Sequence, residues 1–336
     1  MRRALPALFA FFLLVAAGCG AAASAGPEAL PAPVEPEPEP WVDVSPPAVV
    51  WPQYGIPIAQ VGDGCTRALP EGIPAGRTTL RRMIVDGTPR EYRVHRPADS
   101  ANGRPLPLVL NFHGRGSNGE TQERYSGLVP LSERDRFVLV SPDGTGAPKA
   151  WHAGATTGST VDDVAFIRSL IDVLRQDLCI DPSQVFAAGF SNGAFMAAEA
   201  ACALGERIAA LAMVGGATPP SANCVGKPRV IAFHGTADQV VPFGGGTIRG
   251  VYAYPGARAA MDGWAARAGC TGTDVRRQNK HVVWEERTGC TTAVRLAVIE
   301  GDGHTWPGAS EVPAFGTTTR EIMASEAIWT FFAGKR

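Results

Sequence analysis

The pentapeptide Gly189-Phe190-Ser191-Asn192-Gly193 constrains this chain more than any other stretch. An apolar run, Gln184-Val185-Phe186-Ala187-Ala188, precedes it, and a helix-forming run, Ala194-Phe195-Met196-Ala197-Ala198-Glu199-Ala200, follows. The spacing predicts a strand, a very sharp turn and a helix. Glycine two residues to either side leaves space where a Cβ would strike the neighbouring strand or helix. The serine is then held in a strained conformation at the carboxyl edge of a sheet, with helix N-terminal N–H groups behind it. A bare G-x-S-x-G is common by chance. The strand and helix around this one make Ser191 a candidate nucleophile.

A serine hydroxyl attacks only when a histidine takes its proton, and that histidine needs a carboxylate to fix its tautomer. Sequences built on such an elbow supply these partners in the order Ser, acid, His. Downstream, the strand-like run Arg229-Val230-Ile231-Ala232-Phe233 leads into His234-Gly235-Thr236-Ala237-Asp238. A second, Leu296-Ala297-Val298-Ile299-Glu300, leads into Gly301-Asp302-Gly303-His304. An acid just beyond a strand's carboxyl end lies on the functional edge of a parallel sheet. Asp302 is too near His304 in sequence to reach its ring easily, and His234 ends a strand as a structural residue would. The expected triad is Ser191, Asp238 and His304.

The oxygen of the attacked carbonyl also needs donors. One is the backbone N–H of Asn192, directly after the nucleophile; the other usually comes from the loop after the third strand. Here Pro107-Leu108-Val109-Leu110-Asn111-Phe112 runs into His113-Gly114-Arg115-Gly116, so Arg115 N–H is the expected second donor and His113 a brace for the loop.

Strand-like and helix-like runs alternate along 63–336, which predicts one α/β catalytic domain: a mainly parallel sheet with helices on both faces. Thr79 to Ile84 and Glu91 to His95 flank Asp86-Gly87 as an N-terminal hairpin, and Phe137 to Val140 reads as a buried strand. Asp162 to Leu178 is the clearest helix, with Val164, Ile167, Leu170, Ile171, Leu174 and Leu178 on one face. The Asp162-Asp163 pair reads as capping rather than metal binding.

Met1-Arg2-Arg3 followed by an apolar segment to about Ala17 reads as an export signal, too short for the about 20 residues that span a bilayer. Ala16-Ala17-Gly18-Cys19 resembles a bacterial lipobox, with Cys19 as the lipidation site; Ala23-Ser24-Ala25 would suit ordinary cleavage. Seven cysteines favour the first: with Cys19 acylated, six remain to pair. Signal 1–19, proline-rich tether 20–62 and catalytic domain 63–336 are the expected divisions. Trp41 and Trp51 within the tether read as packing residues. Hydrophobic residues at 45% can fill such a core, and a net charge of -1 offers no field for nucleic acid. No spacing suggests a metal or a cofactor, and the expected membrane link is the lipid anchor alone.

The cysteines can be paired partly by level. The strand into the elbow climbs about 20 Å from Cys179 at roughly 3.3 Å per residue. The following helix descends about 16 Å to Cys202 at 1.5 Å per residue. Cys179–Cys202 is therefore expected. Cys270–Cys290 follows from proximity in sequence, and Cys65–Cys224 by elimination.

The chain resembles the secreted serine esterases of the poly(3-hydroxybutyrate) depolymerase and feruloyl esterase group. The resemblance runs from about Cys65 to the carboxyl terminus. It is carried by His113-Gly114, Ser141-Pro142-Asp143-Gly144, Trp151 with Gly154, Asp162-Asp163-Val164-Ala165-Phe166 and Asp181-Pro182. The elbow itself, His234-Gly235-Thr236-Ala237-Asp238 and Gly303-His304-Thr305-Trp306-Pro307-Gly308 complete it. It implies the α/β-hydrolase fold, three disulfides, no cofactor, and Ser191, Asp238 and His304 as the working residues. Many relatives carry two cysteines after the Trp-Asn-x-Gly stretch. This chain reads Trp151-His152-Ala153-Gly154-Ala155-Thr156-Thr157 and lacks them.

The expected activity is hydrolysis of a carboxylic ester, with a polymeric substrate. Trp151, His152 and Trp306 are candidate substrate-binding residues, since aromatic walls suit a planar hydroxycinnamoyl group or a sugar face. The tryptophans could equally be packing. Feruloylated plant polysaccharide is the first expectation and polyhydroxyalkanoate the alternative. A non-catalytic surface lipoprotein on the same fold is the reading of another class.

Overall fold

The computed structural model describes residues 42–43, 63–66, 70–100, 104–153, 161–250 and 252–334. The export signal, Cys19, Trp41 and Trp51 lie outside them, as does the segment 154–160 that follows Trp151.

Asp86 and Gly87 adopt φ of 49° and 73°, the left-handed pair that a two-residue hairpin turn needs, and join β2 (Arg77–Val85) to antiparallel β3 (Thr88–Arg96). The hairpin opens an eleven-stranded sheet. Its middle strands are β4 (Leu106–Phe112), β5 (Val138–Pro142), β6 (Ile180–Phe190), β7 (Ala210–Val214), β8 (Arg229–Gly235) and β13 (Val294–Ile299). They lie in the order β5-β4-β6-β7-β8-β13 and every neighbouring pair is parallel. β9 (Gly246–Ile248) and β10 (Tyr252–Tyr254) form a separate antiparallel pair, and β11 (Gly272–Arg277) and β12 (Val282–Thr288) close the far edge of the large sheet antiparallel. At the near edge, Val42–Asp43 of the segment expected to be a tether pairs with β2 as β1.

Alternation along β4 shows how the sheet sorts its side chains. Leu108, Leu110 and Phe112 join one buried cluster with α3 (Asp163–Asp177), α4 (Asn192–Ala203) and α5 (Ala257–Arg267). Val109 joins the other, with α2 (Leu128–Asp135) and α6 (Ala324–Phe332). Asn111 points the same way as Val109 and is satisfied there by Ser126 (3.1 Å) and Gln122 (3.0 Å) of α1 (Gly119–Ser126). Period-two strands thus give each face its own helices. On the α6 face, Trp329 stacks on Phe137 at 4.3 Å and Phe332 on Phe186 at 4.8 Å; fully burying side chains of this kind is worth about 1.5–3 kcal/mol each.

α3 begins as expected, with the Asp162 carboxylate accepting Ala165 N–H. Asp163 does something else. It is buried, pairs with the buried Arg90 at 2.6 Å, and accepts the His152 N–H at 2.8 Å.

All six domain cysteines are bonded, but two of the three expected pairings are wrong. The bridges are Cys65–Cys179, Cys202–Cys224 and Cys270–Cys290. Cys179 and Cys202 were paired on height along the strand axis alone, whereas a disulfide needs Cα atoms within about 7 Å and converging Cβ vectors. The short 3-10 turn Asp63–Cys65 sits against the end of α3, so close that a Cβ on Gly64 would stand 2.3 Å from Leu178 O, and it takes Cys179. The 224–226 segment returns beneath α4, with Val225 and Gly226 N–H bonded to Cys202 O, and takes Cys202.

Candidate active site

Five adjacent parallel strands deliver the site at their carboxyl ends. The His113–Gly116 loop follows β4, Ser191 follows β6, Gly215-Gly216 follow β7, Asp238 follows β8 and His304 follows β13. A parallel sheet places all such loops on one edge, so residues more than 100 positions apart in sequence meet there.

Ser191 has φ 55° and ψ −120°, a region that a side chain rarely occupies. Two close approaches hold it there. A Cβ on Gly189 would lie 2.1 Å from Gly193 O, and one on Gly193 would lie 2.2 Å from Phe112 O and 2.5 Å from His113 O. Both elbow glycines are therefore required by backbone that cannot move aside. Ser191 N–H donates to Val214 O at 2.8 Å, which ties the turn to β7.

His304 Nδ1 donates to Asp238 Oδ2 at 2.7 Å, and both side chains are buried. Asp302 does not compete: its Oδ2 accepts Thr319 N–H at 2.7 Å. The Asp238 carboxylate is surrounded by donors. Oδ1 accepts Val240 and Val241 N–H, each at 2.8 Å, and His234 Nε2 stands 3.3 Å from Oδ2. Burial pushes the Asp238 pKa up, but the His234 and His304 contacts and the backbone N–H bonds outweigh it, and the carboxyl stays well below its ordinary range. It is therefore ionised wherever the imidazole works. With Nδ1 engaged, His304 has Nε2 free to accept a proton. Its ring lies 4.8 Å from Phe190 and packs where a Cβ on Gly215 would stand, 3.3 Å away. Ser191 Oγ makes no hydrogen bond among the described residues, a looseness common before substrate binds.

His234 carries a part that sequence reasoning missed. Its Nε2–H donates to Val241 O at 2.8 Å while leaning on Asp238, so it holds the acid loop at two points. The signal was present in the four-residue spacing of His234 and Asp238.

The expected oxyanion donors lie on facing segments. A Cβ on Gly114 would stand 3.4 Å from Ser191 Cβ, so the Arg115 loop lies against Ser191. Arg115 N–H has no acceptor among the described residues, and Asn192 N–H opens α4, where no intrahelical acceptor exists. His113 braces this loop. Its buried ring donates from Nδ1 to Gly114 O (2.7 Å) and accepts Gly144 N–H at Nε2 (2.9 Å). Burial holds its pKa down, so the ring is neutral as that tautomer requires.

The tryptophans are not walls. Trp151 is 0% exposed and Trp306 1%. Trp151 Nε1–H donates to His113 O at 3.0 Å, and its ring packs edge-on against Phe112 at 5.3 Å. Its backbone N–H donates to Asn192 Oδ1 (2.7 Å) while its carbonyl accepts from Asn192 Nδ2 (3.1 Å). One residue thus clamps Asn192, the neighbour of Ser191, to the His113–Gly116 loop. Trp306 belongs to the α6-face core and donates from Nε1 to Ser325 Oγ at 3.0 Å. His152 is mostly buried, with Nδ1 3.2 Å from Asp163 Oδ2, so the Arg90–Asp163 pair fixes its ring.

Asp302 gives the site a pH signature. Burial pushes its carboxyl up to about 6, against the Thr319 N–H that lowers it. An acid whose pKa rises on folding loses its proton first in the unfolded chain, so stability falls as pH climbs from the ordinary 3.8 through about 6. Asp302→Asn keeps an oxygen for Thr319 N–H and removes the charge. It is expected to raise the Tm above wild type at pH 7–8, by on the order of 1–2 kcal/mol of stability, with the gain vanishing by pH 4. The same Tm difference at both pH values would refute this account.

Comparison with known proteins agrees with this architecture. The family model described as Phospholipase/Carboxylesterase matches residues 98–249. The protein named "Putative esterase NocK" of Nocardia uniformis subsp. tsuyamanensis is 30% identical over 289 residues, covering 76% of this chain and 83% of that protein. The chain belongs to this esterase family. A probable feruloyl esterase C of Aspergillus oryzae is 29% identical over 255 residues, covering 72% of this esterase and 83% of its relative. Feruloyl esterase B of Piromyces equi is 30% identical over 64% of this chain and 42% of its own length. Among solved structures, an acetyl xylan esterase from Aspergillus awamori superposes with a TM-score of 0.53 at 18% identity, covering 68% of this esterase and 94% of that chain. That last likeness is one of fold.

Proposed function

We propose that this esterase is an exported serine hydrolase of the feruloyl esterase type, with Ser191, His304 and Asp238 as its catalytic triad, releasing hydroxycinnamic acids from plant cell-wall polysaccharide. The observation that carries the triad is the buried 2.7 Å Asp238–His304 pair on the same sheet edge as the strained Ser191. Ser191 Oγ attacks the ester carbonyl while His304 Nε2 takes its proton, and ionised Asp238 stabilises the imidazolium. Arg115 and Asn192 N–H receive the oxyanion. Collapse of the tetrahedral intermediate breaks the ester C–O bond, and His304 returns the proton to the departing alcohol. Water then attacks the acyl-serine, its proton going to His304 and on to Ser191 Oγ as the acid leaves.

The acyl preference is supported by the relatives named feruloyl esterase. Export is supported by three disulfides, which persist in oxidising compartments, and by the basic-then-apolar opening of the chain. Lipidation at Cys19 and the division at residues 19 and 62 belong to the same proposal. The test is a panel of methyl ferulate, p-nitrophenyl acetate and polyhydroxybutyrate. Turnover of the first two without depolymerisation is expected. Release of hydroxybutyrate with no hydrolysis of methyl ferulate would overturn the feruloyl reading. Inertness of well-folded protein towards all three would overturn catalysis itself.

A further inference from the structure

With Trp151 and Trp306 buried, the aromatic surface beside the triad has to be found elsewhere. Among the described residues Phe315 is the most exposed Phe, Tyr or Trp, at 37%, while Tyr125, Phe195, Phe243, Tyr252 and Trp284 are half-buried. A single exposed phenyl means little by itself. Its position is what counts. The ring lies 5.6 Å from the His304 imidazole, perpendicular to it, and 6.5 Å from Phe190.

The chain fixes that position. Phe315 ends a 3-10 turn, Pro313–Phe315, and is followed by Gly316 at φ 89°. His304 N–H donates to Phe315 O at 2.7 Å and Gly303 N–H to Thr317 O at 3.0 Å, so the two segments run hydrogen-bonded side by side. A Cβ on Gly303 would come within 2.0 Å of Phe315 O; only glycine allows this approach. The backbone of Phe315 therefore supports the histidine, while its side chain is left half-open beside the His304 ring.

We infer that Phe315 is the wall against which a planar aromatic acyl group lies during ester hydrolysis, an inference that rests on the aromatic-ester reading above. Aromatic rings pair with centroids about 4.5–7 Å apart, offset or edge-on. A hydroxycinnamoyl ring seated on Phe315 would lie beside the imidazole that activates the nucleophile. A short aliphatic acyl group has no ring to present there.

The test compares kcat/KM for methyl ferulate and methyl propionate in wild type, Phe315→Ala, Phe315→Leu and Phe315→Trp. The alanine and leucine variants are expected to lose about tenfold more on ferulate than on propionate, chiefly through KM, and tryptophan to restore the ratio. All three keep the backbone carbonyl that holds His304, so the pH profile on propionate should not move. Equal losses on both esters, a shifted pH profile or full rescue by leucine would each overturn the wall while leaving the feruloyl esterase reading standing. Wild type that cleaves propionate and not ferulate would remove that reading, and the wall with it.

Discussion

Ser191→Ala is expected to cut ester turnover by about 10⁴-fold or more while the folded protein melts at or slightly above the wild-type temperature. In the proposed mechanism the Oγ atom supplies the bond to carbon. The hydroxyl contributes little to stability, because it makes no hydrogen bond among the described residues. Its backbone is strained at φ 55°, and the strain is maintained by the Gly189–Gly193 approach rather than by the side chain. His304→Ala should be comparably damaging, since the members of a triad act as a unit. Activity above a few per cent in purified Ser191→Ala would mean that the elbow is not the nucleophile.

Trp151→Ala is expected to damage everything at once. Removing a fully buried indole costs about 3–5 kcal/mol, or a fall in Tm of roughly 5–10 °C. It also releases the Nε1–H bond to His113 O and loosens the segment whose backbone is clasped by Asn192. Both expected oxyanion donors shift when that clamp opens, so hydrolysis of methyl ferulate and of p-nitrophenyl acetate should fall together, in kcat more than KM. Trp151→Phe keeps most of the packing and loses one hydrogen bond, worth about 1 kcal/mol, and should be much milder. A loss confined to methyl ferulate, with Tm unchanged, would put Trp151 back against the substrate.

The two tryptophans show where reading residue types stops working. Sequence position places Trp151 and Trp306 beside the loops that carry the candidate site residues, and both are there. Whether an indole faces substrate or core depends on what packs behind it. For Trp151 that is Phe112 and His113, contributed by a strand about 40 residues earlier; for Trp306 it is Ser325 and the α6 core. Asp163 is a second instance. Its place at the start of α3 predicts a cap, and Asp162 does cap; the partner that claims Asp163 is Arg90 on β3, 73 residues away.

The sequence by itself determined the mainly parallel α/β class, the N-terminal hairpin, the elbow and α3, and it nominated Ser191, Asp238 and His304. Each of these depends on rules that act over a few residues: steric exclusion at Gly189 and Gly193, left-handed turn geometry at Asp86-Gly87, and the apolar period along α3. Because a parallel sheet carries every strand's carboxyl end to one edge, local reading sufficed to put Ser191, Asp238 and His304 on that edge. Only the tertiary structure decided the partners of Cys179 and Cys202, the burial of Trp151 and Trp306, and the exposure of Phe315. A side chain's direction and the surface opposite it are set by distant segments packing in three dimensions, and no spacing along the chain encodes that direction.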